Sequence, residues 1–464
     1  MDIKQIKSVY FIGAGGIGMS ALVRFFLAKG RKVAGYDRTR TDLTSALIDE
    51  GADIHFSDDV ALIPEFCRDS SDTLVVYTPA VPQNHTELNW FRDRNFSVEK
   101  RAQVLGELTM SMDGLCVAGT HGKTTTSAMI AHILDGTADG CNAFLGGILK
   151  NTRSNLMLSP SNSRVVIEAD EFDRSFHWLR PLRSVITAID ADHLDIYGNY
   201  ANYVESFRHY ASLIRTGGDL ILHEGLADIL RPELQPGVRL WSYSIDSGDF
   251  RAGNIRIGDG RIIFDFIYPT GCIRDIELGV PVYVNIANAV AAIAVAVLGG
   301  VEEDIIRERM SSFRGTDRRF DFHLKTPDRV YLSDYAHHPE ELRQCALSMK
   351  RLYPDKKITA LFQPHLYTRT RDFHKEFAES LSLFDEVWLL DIYPAREQPI
   401  PGVTSRLIAD NMKDGVCRGV VSLDDVPSLV RRLSPELQVV VTVGAGDLDN
   451  MADTITEILK EGIV

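Results

Sequence analysis

Residues 115–126, Leu115-Cys116-Val117-Ala118-Gly119-Thr120-His121-Gly122-Lys123-Thr124-Thr125-Thr126, run from an apolar strand through a glycine turn into a lysine and threonines that open a helix. Backbone N–H groups of such a turn, together with the positive end of the next helix, form a cradle for phosphate. A lysine at this place reaches the outer phosphates, and the next hydroxyl is a ligand for Mg2+. The common pattern G-x-x-x-x-G-K-[ST] needs glycine at 117, where this chain has Val117, so the loop is a shortened form, G-x-x-G-K-T-T. Gly119, Thr120, His121, Gly122, Lys123, Thr124 and Thr125 are therefore the candidate phosphate binders. The alternative is a glycine turn that only caps a helix.

Working outward, 464 residues exceed one ordinary core and predict two or three domains. An apolar content of 45% with 25% charged residues is that of a soluble globular chain. The formal charge of −14 argues against a nucleic-acid binder, whose affinity would depend on basic patches. Cys67, Cys116, Cys141, Cys272, Cys345 and Cys417 form no C-x-x-C pair, which predicts a reduced, cytoplasmic setting without structural zinc. The start, Met1-Asp2-Ile3-Lys4, lacks the plan of a signal peptide. The apolar run 287–301 is shorter than the roughly 20 residues of a membrane span and is expected to be a buried helix.

Before the phosphate loop, strand 8–12 leads into Gly13-Ala14-Gly15-Gly16-Ile17-Gly18, a helix over 19–28 and strand 32–36 ending in Asp37. This satisfies G-x-G-x-x-G with an acid placed for a ribose hydroxyl. The fingerprint alone fits a dinucleotide or any nucleotide diphosphate. Strand 73–77 ends in Thr78-Pro79-Ala80-Val81-Pro82, a loop expected at the same crevice. Helices are predicted over 87–94 and, after Lys100-Arg101-Ala102, over 103–111.

After the loop, strand 164–167 runs into Glu168-Ala169-Asp170-Glu171, where a nucleotide's Mg2+ is usually held. Strand 184–189 ends in Asp190-Ala191-Asp192-His193, and His193 is a candidate metal or substrate ligand. A β-rich excursion over 250–278 turns at Gly258-Asp259-Gly260, and Asn285 and Asn288 open the alanine-rich helix. Farther on, Asp334, Tyr335 and His337 follow strand 330–332, and Arg369 and Arg371 follow strand 358–362 ahead of a helix over 372–384. Two arginines there suit a carboxylate or phosphate. The predicted fold is α/β with three domains: a Rossmann-like domain over 1–107, a P-loop-type ATPase domain with a mixed sheet over 108–315, and a second Rossmann-like domain over 316–464.

In order and spacing, GAGGIGMS (Gly13 to Ser20), GTHGKTTT (Gly119 to Thr126), EADEFD (Glu168 to Asp173), DADHLD (Asp190 to Asp195), GTDRRF (Gly315 to Phe320), DYAHHP (Asp334 to Pro339), QPHLYTRTRD (Gln363 to Asp372) and GAGD (Gly444 to Asp447) make a chain that resembles the Mur ligases of peptidoglycan synthesis. The resemblance implies an ATP-dependent ligase that joins L-alanine to the lactyl carboxylate of UDP-N-acetylmuramate through an acyl phosphate. A recycling ligase that attaches a whole tripeptide on the same scaffold is the alternative. Gly13, Ala14, Gly15, Gly16, Ile17 and Gly18, with Asp37, Thr78, Ala80 and Arg101, would then hold the UDP-sugar. Lys123, Glu168 and His193 would be catalytic, and Thr124, Glu168 and His193 would serve Mg2+, with Mn2+ as a substitute. Asn285, Asn288, Arg318 and Asp334 would address ATP, and Tyr335, His337 and Arg369 the amino acid. A monomer or homodimer is expected, with small-molecule substrates, no nucleic acid and no membrane insertion. Domain closure is expected because the family binds its three ligands on separate domains.

Later ligases of the family hold a second metal with a carbamylated lysine, whereas this chain has no lysine between Lys150 and Lys325. That absence, with GAGGIGM, favours alanine addition. Leu366 stands where many relatives carry arginine, and Val284 where they carry histidine.

Overall fold

The computed structural model describes residues 6–461 except 79, 80, 83, 160, 162, 193, 259, 260, 318 and 396. Its chain forms two compact units, one of Met1–Ile255, Phe264–Glu277 and Ala287–Arg314, the other of Arg256–Ile263, Leu278–Ile286 and Gly315–Val464.

The first unit begins with β1 (Ser8–Ile12), α1 (Ile17–Ala28), β2 (Lys32–Tyr36), α2 (Asp42–Asp49), β3 (Asp53–His55), β4 (Thr73–Tyr77), α3 (Thr86–Asp93), β5 (Ser97–Lys100) and α4 (Arg101–Ser111). All five residues of β1 are buried, as a parallel strand covered on both faces requires. The sheet is parallel throughout, in the order β3-β2-β1-β4-β5. Strand order reverses between β1 and β4, and the crevice beyond their carboxyl ends is where ligands of open sheets bind. Gly13 and Thr78 stand there. The expected boundary at 107 falls within α4, which runs without a break to Ser111.

The chain continues with β6 (Asp113–Ala118), α5 (Lys123–Asp135), β7 (Asn142–Leu149), β8 (Ser154–Met157), β9 (Arg164–Glu168), β10 (Arg183–Ile186), α6 (Leu194–Tyr197), α7 (Tyr200–Ser212), β11 (Asp219–His223), α8 (Leu226–Leu230) and β12 (Arg239–Tyr243). These strands lie in the order β12-β11-β10-β6-β9-β7-β8, and the sheet is mixed because β7 and β8 are antiparallel. The central β6 puts the phosphate loop between the ends of β9 and β10. β10 stops at Ile186, short of the predicted 189, because its partner β6 ends at Ala118 and the chain then turns onto the loop. Thr187 N donates to Ala118 O at 3.0 Å, and the Thr187 hydroxyl donates to His121 O.

β13 (Arg251–Gly258), β14 (Arg261–Tyr268) and β15 (Gly271–Glu277) make a small separate sheet. Two residues of the expected turn, Asp259 and Gly260, lie outside the described residues. α9 (Val284–Leu298) and α10 (Glu303–Ser312) come next. From Ala289 to Ala296 α9 is buried on every side, which accounts for a helix apolar all round. Among the described residues no helix is long and apolar enough to cross a membrane.

The second unit contains β16 (Asp321–Lys325), β17 (Val330–Asp334), α11 (Pro339–Leu352), β18 (Ile358–Phe362), α12 (Tyr367–Leu381), β19 (Glu386–Leu390), α13 (Arg406–Ala409), β20 (Cys417–Val421), α14 (Val426–Leu433), β21 (Val439–Val443) and α15 (Ala452–Lys460). The order is β16-β17-β21-β18-β19-β20, parallel except for β16 against β17. α12 begins five residues before the predicted 372. Leu366 ends the preceding loop at φ 68°, and its carbonyl accepts from Thr370 N at 3.1 Å, so Arg369 and Arg371 lie in the first turns of the helix.

Candidate active site

The phosphate loop is built by two glycines in backbone conformations closed to other residues. Gly119 has φ 129° and Gly122, the N-cap of α5, has φ 80°. A Cβ on Gly119 would lie 2.8 Å from Ala188 N, so the turn is also closed sterically. The first N–H groups of α5 have no acceptor within the helix. Thr120 fastens the loop to the end of β10, its hydroxyl accepting from Asp190 N at 2.9 Å and lying 3.1 Å from the Tyr203 hydroxyl. His121 Nε2 is 3.6 Å from Asp190 Oδ2. Thr125 is half-buried in the first turn of α5, and the Thr126 hydroxyl donates to Asn288 Oδ1 at 3.2 Å.

Lys123 folds back over the turn. Its Nζ donates to Gly119 O at 2.6 Å and to Glu171 Oε1 at 2.8 Å. Burial pushes the Glu171 carboxyl up to about 7, with the lysine pulling it down. Burial works against the Lys123 charge as well, yet Glu171 and Glu168 outweigh it and raise its pKa. Glu171 Oε2 is buried and has no hydrogen-bond partner among the described residues. The sequence reading gives Glu171 no role of its own, and its only signal is that it closes the acidic run Glu168-Ala169-Asp170-Glu171.

Thr124 and Glu168 meet as expected. The Thr124 hydroxyl is 3.0 and 2.9 Å from the two carboxylate oxygens, and Gly146 N donates to Glu168 Oε2 at 3.1 Å. A hydroxyl and a carboxylate converging beside a phosphate loop are the hard oxygen donors that Mg2+ takes, so these residues fit that ion. His193 lies outside the described residues.

Glu168 and Asp170 line a cavity of about 990 Å3 whose opposite wall is the first glycine turn: Gly13, Gly15, Gly16, Ile17 and Gly18, with Asp37, Thr78 and Arg101. Asp37 braces this turn, Oδ2 accepting from Gly15 N at 2.7 Å. Arg101 covers Gly18, where any Cβ would overlap its guanidinium, and its Nη2 is 3.8 Å from Asp170 Oδ2. Ala14 is fully buried and is not among the lining residues, and Ala80 lies outside the described residues.

The same cavity reaches Tyr36, Asp58 and His85, which the sequence reading did not single out. Asp58, His85 and Glu87 have the types and proximity of metal ligands. Their ligand atoms already accept hydrogen bonds, Asp58 from Thr86 N and Glu87 N, His85 Nδ1 from Leu88 N, and Glu87 from the Tyr10 hydroxyl and Asp59 N. The group is the N-terminal cap of α3.

In the second unit the ends of β17, β18 and β21 converge. Gly444 N donates to Asp334 O at 3.1 Å, and Gln363 Oε1 accepts from Leu448 N at 2.9 Å. Asp334 accepts from Phe320 N and Ala336 N, both at 2.8 Å, and burial pushes its carboxyl up to about 6. The Tyr335 and His337 rings are 5.2 Å apart, His337 and His365 6.0 Å, and Arg369 Nη1 is 3.5 Å from His365 Nδ1. Arg319 lies over the Tyr335 ring at 5.0 Å. Tyr335, His337 and Arg369 are thus brought together, with His365 as a neighbour the sequence reading left unassigned. Asn285 donates to Val280 O at 3.3 Å, and Arg318 lies outside the described residues.

Three family models match the chain: "Mur ligase family, catalytic domain" over residues 8–111, "Mur ligase middle domain" over 117–296 and "Mur ligase, glutamate ligase domain" over 318–446. A UDP-N-acetylmuramate–L-alanine ligase of Phocaeicola vulgatus is 58% identical over 461 residues, covering 99% of this chain and 100% of that protein. One of Porphyromonas gingivalis is 50% identical, covering 98% and 99%. The solved UDP-N-acetylmuramate-alanine ligase of Thermotoga maritima has a TM-score of 0.79 at 26% identity, covering 98% of this chain and 100% of that one. A murein peptide ligase of Psychrobacter arcticus shares the fold, with a TM-score of 0.67 at 21% identity and 99% coverage of both. With its glycine turn, its shortened phosphate loop and these matches along nearly all its length, the chain belongs to the Mur ligase family.

Proposed function

We propose that this chain is an ATP-dependent ligase that joins L-alanine to the lactyl carboxylate of UDP-N-acetylmuramate, releasing ADP and phosphate. The observation that carries the reading is one cavity lined on one side by a diphosphate-type glycine turn and on the other by Glu168, beside the phosphate loop. A sugar nucleotide on that turn presents its carboxylate toward the phosphoryl donor. The full-length relatives at 50–58% identity specify alanine as the amino acid.

In this reading the lactyl carboxylate attacks the γ-phosphorus of ATP, ADP departs, and an acyl phosphate forms. Lys123 leaves Glu171 for the outer phosphates and offsets the charge that builds during transfer, where positioning and electrostatics dominate. Thr124, Glu168 and His193 would hold Mg2+, which when bound neutralises phosphate charge. The amine of L-alanine then attacks the acyl carbon and phosphate leaves. Tyr335, His337 and Arg369 address the amino acid, Arg369 its carboxylate. Burial lowers the pKa of His337, which keeps it neutral and makes it a candidate to accept the amine's proton. Asn288 sits against the phosphate loop and is assigned with Asn285, Arg318 and Asp334 to ATP.

The division into 1–107, 108–315 and 316–464 as UDP-sugar, ATP and amino-acid domains is part of this reading, and three family models in the same order along the chain support it. Cytoplasmic placement, a monomer or homodimer, and no partner among nucleic acids or membranes complete the reading.

ADP release from the purified protein with ATP, Mg2+ and UDP-N-acetylmuramate, comparing L-alanine with the L-Ala-γ-D-Glu-diaminopimelate tripeptide, tests it. Turnover with alanine is expected, and turnover with the tripeptide alone would make the chain a recycling ligase. Lys123→Ala is expected to abolish ADP formation and leave UDP-sugar binding intact.

A further inference from the structure

The antiparallel hairpin of β7 and β8 touches both walls of the cavity, and no step of the proposed reaction uses it. Asn155, on β8, is fully buried. Its Nδ2 donates to Ile17 O and, at 3.1 Å, to Ser20 Oγ, and its Oδ1 accepts from Arg24 Nη1 at 3.1 Å. Residues 17, 20 and 24 share one face of α1, so the whole amide is committed to the helix whose N-terminus faces the diphosphate turn. Arg24 is in turn clamped by Glu50 at 2.8 Å.

The other strand touches the opposite wall. Leu156, next to Asn155, pairs with Phe144, and two residues past Phe144 the N–H of Gly146 is bonded to Glu168 Oε2. A Cβ on Gly146 would overlap that oxygen. The Phe144 ring also packs on Phe25 of α1 at 5.4 Å. A buried amide and a backbone N–H on one short hairpin thus hold α1 and the Glu168 carboxylate in a fixed relation.

The geometry points to Asn155 as a positioning residue for phosphoryl transfer, one that acts through the hairpin to fix the distance between the sugar-nucleotide turn and the Thr124–Glu168 pair. This rests on the ligase reading. Asn155 is not among the residues that line the cavity. The glycine turn and the phosphate loop each keep their own geometry without it, and what it sets is their separation. A misplacement of about 1 Å between reacting groups can cost about a hundredfold in rate.

The test compares wild type, Asn155→Ala and the milder Ser20→Ala in ADP release with all three substrates. Calorimetry gives the Kd of UDP-N-acetylmuramate alone and of a non-hydrolysable ATP analogue alone. Asn155→Ala is expected to lower kcat by about ten- to a hundredfold with both Kd values within twofold of wild type. Ser20→Ala, which removes the bond from Asn155 and the one Ser20 donates to Ile17 O but leaves the other two bonds of the Asn155 amide, is expected to move kcat the same way by a smaller factor. A kcat within twofold of wild type in both variants overturns the proposal. So does a rise in the sugar-nucleotide Kd that matches the fall in kcat, since Asn155 would then only shape the diphosphate site. If Asn155→Ala does not fold, the Ser20→Ala result decides by the same criteria. A wild type that releases no ADP with alanine counts against the ligase reading instead, and the two failures are distinct.

Discussion

The Thr124 hydroxyl lies 3.0 and 2.9 Å from the two carboxylate oxygens of Glu168, although one residue opens a helix and the other ends a strand 44 positions later. β6 and β9 are adjacent parallel strands, so the segments leaving their carboxyl ends emerge on the same side of the sheet. The pair is where the proposed Mg2+ ligands are set before any ligand arrives.

Thr124→Val keeps the shape of the side chain and removes the hydroxyl. Activity is expected to fall by about 10–100-fold, with a higher Mg2+ concentration at half-maximal rate. ADP release titrated with Mg2+ measures both, and an unmoved Mg2+ dependence would remove Thr124 from the metal assignment.

Gly18→Ala puts a methyl group into the Arg101 guanidinium. The guanidinium is the far end of a flexible side chain and gives way, so the variant shifts Arg101 at the cavity wall, and a KM for UDP-N-acetylmuramate raised by about 2–10-fold is expected. The Kd of the ATP analogue should stay at its wild-type value. Unchanged sugar-nucleotide kinetics would show that Arg101 and the glycine turn do not meet the substrate.

Arg369→Ala is expected to raise the KM for L-alanine by about 10–100-fold, the worth of a charged hydrogen-bond pair. Arg369→Lys should recover little of it, because an ammonium cannot reproduce the planar fork. Steady-state kinetics at saturating ATP and UDP-N-acetylmuramate read the effect, and an alanine KM that does not move in either variant would reassign Arg369.

Glu87 is fully buried, and desolvation pushes its carboxyl up to about 7 against the hydrogen bonds it accepts from the Tyr10 hydroxyl and Asp59 N. Its folded pKa lies above the unfolded one. Its contribution to stability is therefore full at low pH and is lost as pH rises from the unfolded value toward 7, each unit of difference being worth about 1.4 kcal/mol. Glu87→Gln, which cannot ionise, should flatten this part of the profile. Melting temperatures at pH 5 and pH 8 are the check, and a wild-type and variant profile of equal slope would contradict it.

Both glycine turns were legible in the sequence because each is a consecutive run whose backbone N–H groups, glycines and adjoining helix are fixed locally. The strands around them were legible for a similar reason, since a parallel strand buried on both faces is a short apolar run bounded by turns. β1, β2, β4 and β18 occupy the residues predicted for them. Where prediction missed, a neighbour distant in sequence or a local carbonyl set the outcome. β10 ends early because β6 does, and α12 starts early because Leu366 supplies a carbonyl to Thr370.

The sequence by itself determined that there are two glycine turns that each open a helix, an acidic run at the end of β9, and the strand–helix alternation that presents them at sheet ends. Only the tertiary structure decided which of these share a cavity. It seated Glu171 under Lys123, turned Asp37 onto Gly15, and bound Asn155 to α1. The physical reason is that a hydrogen bond between residues tens of positions apart depends on strand order and helix packing. Those are set by how the whole unit buries its apolar surface, and no local pattern of residues encodes them.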